Sequence, residues 1–328
     1  MSFQIPKVEI GIDDIDTLRF DIYTIGYKEE GECLLLLLCD GDKVLHCTIT
    51  DCYSEGAYNH ADFLLHELGA MKIDAFIWTH PDIDHSTGIT SFLDKYDPNA
   101  DARIFIPAWV NDNIIETEVA KKAWIYLLDK YNQNRRYDID YVSLNKGQFS
   151  QPLKFRIYDK KNHRHVDCTY TFILPNNDVE ARRSRANGKV FLNDYSIFYI
   201  VTFNDQNYLF CGDLSKQNVK FIKKDWLEDV VFVKIPHHGS TTLGNFQGKL
   251  ISAGVNDVIS TCTTFKPKQL PNDKVLKSYK SFSKAVYCTG KNEDSPQYDY
   301  GCVLNQFNAN MKDNASSCSG NAFEYKVS

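Results

Sequence analysis

The 328-residue sequence has no apolar run long enough to cross a bilayer. Its "LLLLL", Leu34 to Leu38, falls far short of the roughly 20 residues that a spanning helix needs. No membrane partner is therefore expected. The stretch "MSFQIPKVEI" lacks the basic start and apolar run of a secretory leader. The ten cysteines include no C-x-x-C pair and are too sparse for a disulfide scaffold, so reduced thiols in a cytoplasmic protein are expected. Positive charge is also in short supply. Lys and Arg number 37 against 43 Asp and Glu, for a net charge of -6. A protein that coats nucleic acid without regard to sequence would be basic. Nor does any repeat with a period of roughly 20–50 residues stand out.

What is present is enough apolar sequence, 43% of residues, for one sizeable core. We expect a single domain over residues 1–328. "LRFDIYTI" alternates and reads as a strand, and "ECLLLLLC" and "KVLHCTIT" read as strands buried on both faces, with "DGD" turning between them. "NHADFLLHELGAM" reads as a helix with Phe63, Leu64 and Leu68 on one side and Gly69 placed to stop it. "KIDAFIWT" is a buried strand, and "NIIETEVAKKAWIYLLDKYNQN" is the longest helical pattern. From about 95 to 190 the pattern weakens, with charge clusters at 160–165 and 182–189, which predicts an elaboration laid over the core. Strand-like runs then resume in "SIFYIVTF", "QNYLFCGD", "VVFVKIPHHGS" and "VNDVISTC".

"WTHPDIDHSTG", residues 78–88, follows one buried strand and places His80, Asp82, Asp84 and His85 within six positions. In an irregular loop, His80 with Asp82 can face one ion while Asp84 with His85 faces another. Two-metal hydrolytic sites hold their ions about 3.5–4 Å apart, with a bridging carboxylate. The missing ligands stand at other strand ends: Asp213 in "LFCGDLS", and His237 and His238 in "KIPHHGSTT". His46, His60 and His66 fall on strand or helix patterns and read as structural or surface residues. His163 and His165 sit in a charge run and read as solvated.

These three segments, in this order, resemble the metallo-β-lactamase superfamily. The closest likeness is to its ComEC-like branch, which contains competence-protein C-terminal domains and phosphorylcholine esterases. The superfamily signature is H-x-H-x-D-H; this branch has aspartate at the second position, as Asp82 does here. "TIGYKEEGECLLLL" resembles the branch's opening strand and glycine turn, and "TITDC" the end of the next strand. The likeness runs from about Leu18 to Leu304, weakly in 95–190. It implies an α+β fold, a four-layer αβ/βα sandwich with the motif loops at one rim. It also implies two divalent ions, zinc or manganese. Asp84, His85 and His237 would hold one, His80 and Asp82 the other, and Asp213 would bridge them. Asp51 would orient the His80–His85 loop. "LNDYS" resembles a segment that would set Asn193 near the second ion with Ser196 in support. Two features depart from the pattern. The extra histidine before the "GD" aspartate has no counterpart outside His163 and His165. No histidine follows His238, and Leu270 and Asn272 stand where the branch often has them. The second position is thus poor in ligands.

The reading is a metal-dependent hydrolase, first of phosphodiesters, in which the ions acidify a shared water to a hydroxide nucleophile. Asp84, Asp213 and His238 make up the catalytic group, with His238 protonating the leaving group. Ser240 and its neighbours from Gly239 to Thr242 offer hydroxyls and N–H groups to an anionic substrate. Three aspartate ligands suit manganese as well as zinc. Lys160, Arg164, Arg182, Arg183, Arg185 and Lys189 could form a basic rim for nucleic acid or a nucleotide. Two alternatives stand beside this: hydrolysis of a small ester, lactone or cyclic nucleotide, and a non-catalytic binding module on the same fold. The oligomeric state is left open.

Overall fold

The computed structural model describes residues 8–28, 30–54, 60–131, 139–145, 148–183, 191–243, 245–291, 297–310 and 314–327, without the side chains of Arg182 and Arg183. Two large sheets and seven α-helices make up this part of the chain. One sheet runs Ala315–Gly320, Tyr300–Asn308, Leu18–Tyr27, Gly31–Asp40, Lys43–Thr50, Ala75–Ile77, Arg103–Pro107 and Asp140–Val142. The other runs Val8–Ile12, Ser150–Asp159, His165–Leu174, Phe198–Phe203, Gln206–Phe210, Val230–Lys234, Val258–Cys262, Ser283–Cys288 and Phe323–Glu324.

The leucine run shows why the sheets stack. Successive strand side chains point to opposite faces. Leu34, Leu36 and Leu38 pack with Phe20, Tyr170, Tyr199 and Phe232, from both sheets, in a shared inner core. Leu35 and Leu37 pack outward with Trp78, Leu93 and Leu127, under the helices Ile89–Tyr96 and Glu118–Tyr131. A third cluster joins Val233 and Val286 of the other sheet to Phe246, Leu250 and Leu276 on its helices. The molecule is thus mixed α+β, compatible with a layered αβ sandwich. No helix of the described residues is long and apolar enough to cross a membrane. All ten cysteines are free thiols, and nine are buried.

Two expectations need correction. The 95–190 region is not an elaboration laid over the core, because it contributes two strands to each sheet. In Ser150–Asp159 the inner residues Leu153, Phe155 and Ile157 do alternate, but charged and polar outer residues hide the pattern. Phe63 does not face inward with Leu64 and Leu68. It is 56% exposed, while Ala61 and Leu65 supply the buried face of His60–Glu67.

The parallel pairings align strand ends. Lys43–Thr50 pairs with Ala75–Ile77, and Gln206–Phe210 with Val230–Lys234, so the chain leaves each pair on one side. Bonds between the sheets lie at this rim: Thr50 Oγ1 to the Tyr199 hydroxyl, 2.6 Å, and the Ile197 N–H to the Thr79 carbonyl, 2.9 Å. Asp51, His80, Asp213 and the two adjacent histidines all follow these strand ends.

Candidate metal centre

Asp213 sits at the middle of the cluster and turns one oxygen to each side. Its Oδ1 lies 3.6 Å from His85 Nε2 and 3.9 Å from His238 Nε2. Its Oδ2 lies 3.6 Å from His237 Nε2 and 4.0 Å from His80 Nε2. Asp84 Oδ2 closes the first side, 3.5 Å from His85 Nε2 and 2.9 Å from His238 Nε2. Asp84, His85, Asp213 and His238 are all buried, and their donor atoms fit within 4.8 Å of one another. They could hold a metal ion. A tetrahedral ion about 2.1 Å from each ligand separates them by about 3.4 Å, close to these spacings.

The turn that delivers the histidines is strained. His237, His238 and Gly239 take φ of 48°, 49° and 73°, all left-handed. For a non-glycine residue this costs of order 1–3 kcal/mol. It breaks the strand's alternation, so both imidazoles can face Asp213. Gly239 has no substitute here: a Cβ would stand 2.8 Å from Pro271 Cβ. Gly212, with φ of 45°, lets the chain pass Ser196, whose Oγ accepts the Asp213 N–H at 2.9 Å.

Orphaned atoms test the fit to a cation. His80 Nε2, His85 Nε2 and Asp213 Oδ1 are buried without a hydrogen-bond partner. Buried polar atoms are seldom left so. The opposite ring nitrogens are engaged. His85 Nδ1 lies 2.7 Å from Asp51 Oδ2, and Asp51 also accepts from the Thr79 N–H and hydroxyl, at 2.7 and 2.6 Å. His80 Nδ1 meets Thr79 Oγ1 at 3.1 Å, and His238 Nδ1 meets Thr263 Oγ1 at 2.9 Å. Imidazoles held at Nδ1 with Nε2 turned toward the centre are oriented as metal ligands are.

Charge follows the same logic. Burial raises the Asp213 carboxyl, but the facing His237, His238 and His85 imidazoles outweigh it and hold it well below the usual range. Burial is likewise outweighed at Asp84, held at about 2 by His85 and His238. Burial lowers His85 and His238, but the carboxylates around them raise both above the ordinary imidazole value. His80 is lowered, by burial and by the neighbouring His85. Protons on His85 and His238 thus balance the charge that a cation would balance.

The two adjacent histidines are placed otherwise than expected. His238, expected as a proton donor to substrate, belongs to the four-residue grouping. His237, expected there, is more open, and its Nδ1 lies 3.4 Å from both Asn193 Nδ2 and Thr242 Oγ1. The left-handed turn, rather than strand alternation, decides this. Asp82 is not part of the four-residue grouping, and its charge acts on His80. It caps a short 3-10 turn by accepting the Ile83 N–H at 2.8 Å. Ser240 Oγ meets Thr242 Oγ1 at 2.9 Å beside His237. Lys160 and Arg164 lie in the turn between Ser150–Asp159 and His165–Leu174, at the end of the sheet away from the centre, and cannot rim it. Arg185, Lys189 and the side chains of Arg182 and Arg183 lie outside the described residues.

Sequence reasoning missed Glu32, Thr79, Lys234 and Thr263. The signal was available for two of them, since Glu32 and Lys234 are lone charges in apolar strands. Glu32, Asp51 and His85 also come close enough to hold an ion. Yet Lys234 Nζ stands 2.7 Å from Glu32 Oε2, and both Asp51 oxygens are occupied, so this group serves the histidines instead. A separate cavity of about 540 Å³, lined by His46, Asp74, Tyr96, Arg103 and Phe155 among others, opens at the far end of the strands. No family model matches this sequence, and a comparison with curated proteins finds no match either.

Proposed function

We propose that this chain is a metal-dependent hydrolase of metallo-β-lactamase type, acting on phosphodiesters. One observation carries the reading: a buried carboxylate, Asp213, shared between two sets of imidazoles, with the inward nitrogen of one ring in each set, His85 and His80, lacking a partner. In this reading Asp84, His85, His238 and Asp213 Oδ1 hold one divalent ion, zinc or manganese. His80, His237 and Asp213 Oδ2 form a poorer second position, matching the missing late histidine. A bound ion supplies Lewis acidity and an acidified water. The chain's own residues do the rest. Asp51 and Thr263 fix the ring orientations, while Asp213 spans both positions. The hydroxyls of Ser240 and Thr242, beside the more open His237, are available to an anionic oxygen.

The test is hydrolysis by metal-loaded protein of bis-p-nitrophenyl phosphate, single-stranded DNA, RNA and lactones. Turnover of a phosphodiester, abolished by chelation and restored by zinc or manganese, is the expected result. Lactone turnover alone would move the substrate to carboxylic esters. No turnover at full metal content would contradict the hydrolase reading.

A further inference from the structure

Behind the centre lies a charge pair with no contact to solvent. Lys234 and Glu32 are each 1% exposed, and their charged atoms meet at 2.7 Å. A buried ion pair is poor value as a source of stability, because desolvation offsets its attraction. Its position suggests another use. Glu32 reaches behind both metal-facing rings, with Oε1 3.8 Å from His85 Nδ1 and Oε2 3.8 Å from His238 Nδ1. Between Glu32 and His238 stands Thr263, whose Oγ1 lies 2.5 Å from Glu32 Oε2, 3.2 Å from Lys234 Nζ and 2.9 Å from His238 Nδ1.

Counting donors settles which way these bonds run. A lysine ammonium only donates and a carboxylate only accepts, while a hydroxyl has one proton and two lone pairs. The Thr263 proton must go to Glu32. One lone pair takes the Lys234 N–H, and the other is left to accept from His238. His238 therefore donates through Nδ1, while its Nε2 faces the centre, 2.9 Å from Asp84 Oδ2 and 3.9 Å from Asp213 Oδ1. We propose that Glu32, Lys234 and Thr263 form a buried relay that holds a proton on Nδ1 of His238 and so leaves Nε2 as the nitrogen offered to a metal. All three are positioning residues. The consequence for binding rests on the metal reading above; the Nδ1 proton itself does not.

The experiment uses the full chain and two readouts. The first is ¹⁵N NMR of His238 in metal-free protein, which reads how fast the Nδ1 proton exchanges with water. The second is zinc affinity by chelator competition. Wild type should show a slowly exchanging Nδ1 proton. Thr263→Val, which keeps the shape but deletes the hydroxyl, should speed that exchange and weaken zinc binding by about 10–100-fold, as loss of a ligand's hydrogen-bond partner commonly does. Thr263→Ser should restore both. Should Thr263→Val not fold, Glu32→Gln with Lys234→Met removes both charges together and carries the same expectation. Wild-type His238 with no proton on Nδ1, or Thr263→Val with unchanged exchange and affinity, would overturn the relay. A wild-type protein that binds no zinc yet shows the protected Nδ1 proton would sink the metal reading and leave the relay standing.

Discussion

Asp213→Asn is the most informative single substitution, because one carboxylate faces all four histidines of the centre. Asparagine keeps the shape and removes the charge. The magnitude can be worked through metal-linked stability. An ion present at a hundred times its Kd stabilises the folded state by about 2.7 kcal/mol. Unfolding entropy near 2.1 cal/mol/K per residue gives about 0.7 kcal/mol/K for a chain of 328 residues. Wild type should therefore gain about 4 °C in Tm when metal replaces chelator. Loss of the shared ligand should weaken binding at least a hundredfold. The same metal concentration then contributes about 0.4 kcal/mol, or less than about 1 °C. Differential scanning fluorimetry with EDTA, then with zinc or manganese, reads this directly, with metal content measured in parallel. An equal metal-induced shift in wild type and Asp213→Asn would refute the shared-carboxylate geometry.

Three further outcomes follow. His238→Ala should lose the ion held with Asp84 and His85, whereas His237→Ala should retain it; elemental analysis of the purified variants distinguishes them, and the reverse pattern would return His237 to the grouping. Metal affinity should rise with pH through neutrality. His85 and His238 are raised, so they keep their protons in the pH range below their folded values, and an ion must displace those protons. His80 is lowered and does not compete. Two displaced protons give up to about a hundredfold per pH unit, and calorimetry in buffers of different ionisation enthalpy counts them; a flat profile would contradict the charge balance. Leu36→Ala, at a fully buried position between the sheets, should cost about 2–5 kcal/mol and lower Tm by about 3–7 °C.

Much of this was legible in the sequence because strand periodicity and strand-end polarity are local signals. "ECLLLLLC" declared a strand buried on both faces, and the leucines divide between two cores accordingly. The density of His and Asp after "FIWT" located the centre, and "GD" and "PHHGS" located its partners. Three things were hidden. The alternation of Leu153, Phe155 and Ile157 was masked by Lys154, Arg156 and Tyr158 on the outer face, so strands integral to a sheet read as decoration. The order of His237 and His238 depends on a left-handed turn, which spacing does not encode. The roles of Glu32, Lys234 and Thr263 depend on contacts between residues some two hundred positions apart or brought together across the sandwich. A lone charge in an apolar strand flags such a residue without naming its partner.

The central claim is that Asp84, His85, Asp213 and His238 enclose a metal position. Anomalous diffraction at the zinc or manganese edge, from crystals grown with that ion, tests it most directly. The account predicts a peak within about 2.0–2.2 Å of His85 Nε2, His238 Nε2 and an oxygen each of Asp84 and Asp213. A second, weaker peak should lie on the Oδ2 side of Asp213, toward His80 and His237. A metal-saturated crystal with no peak among these four residues, or with its ion bound elsewhere, would contradict it.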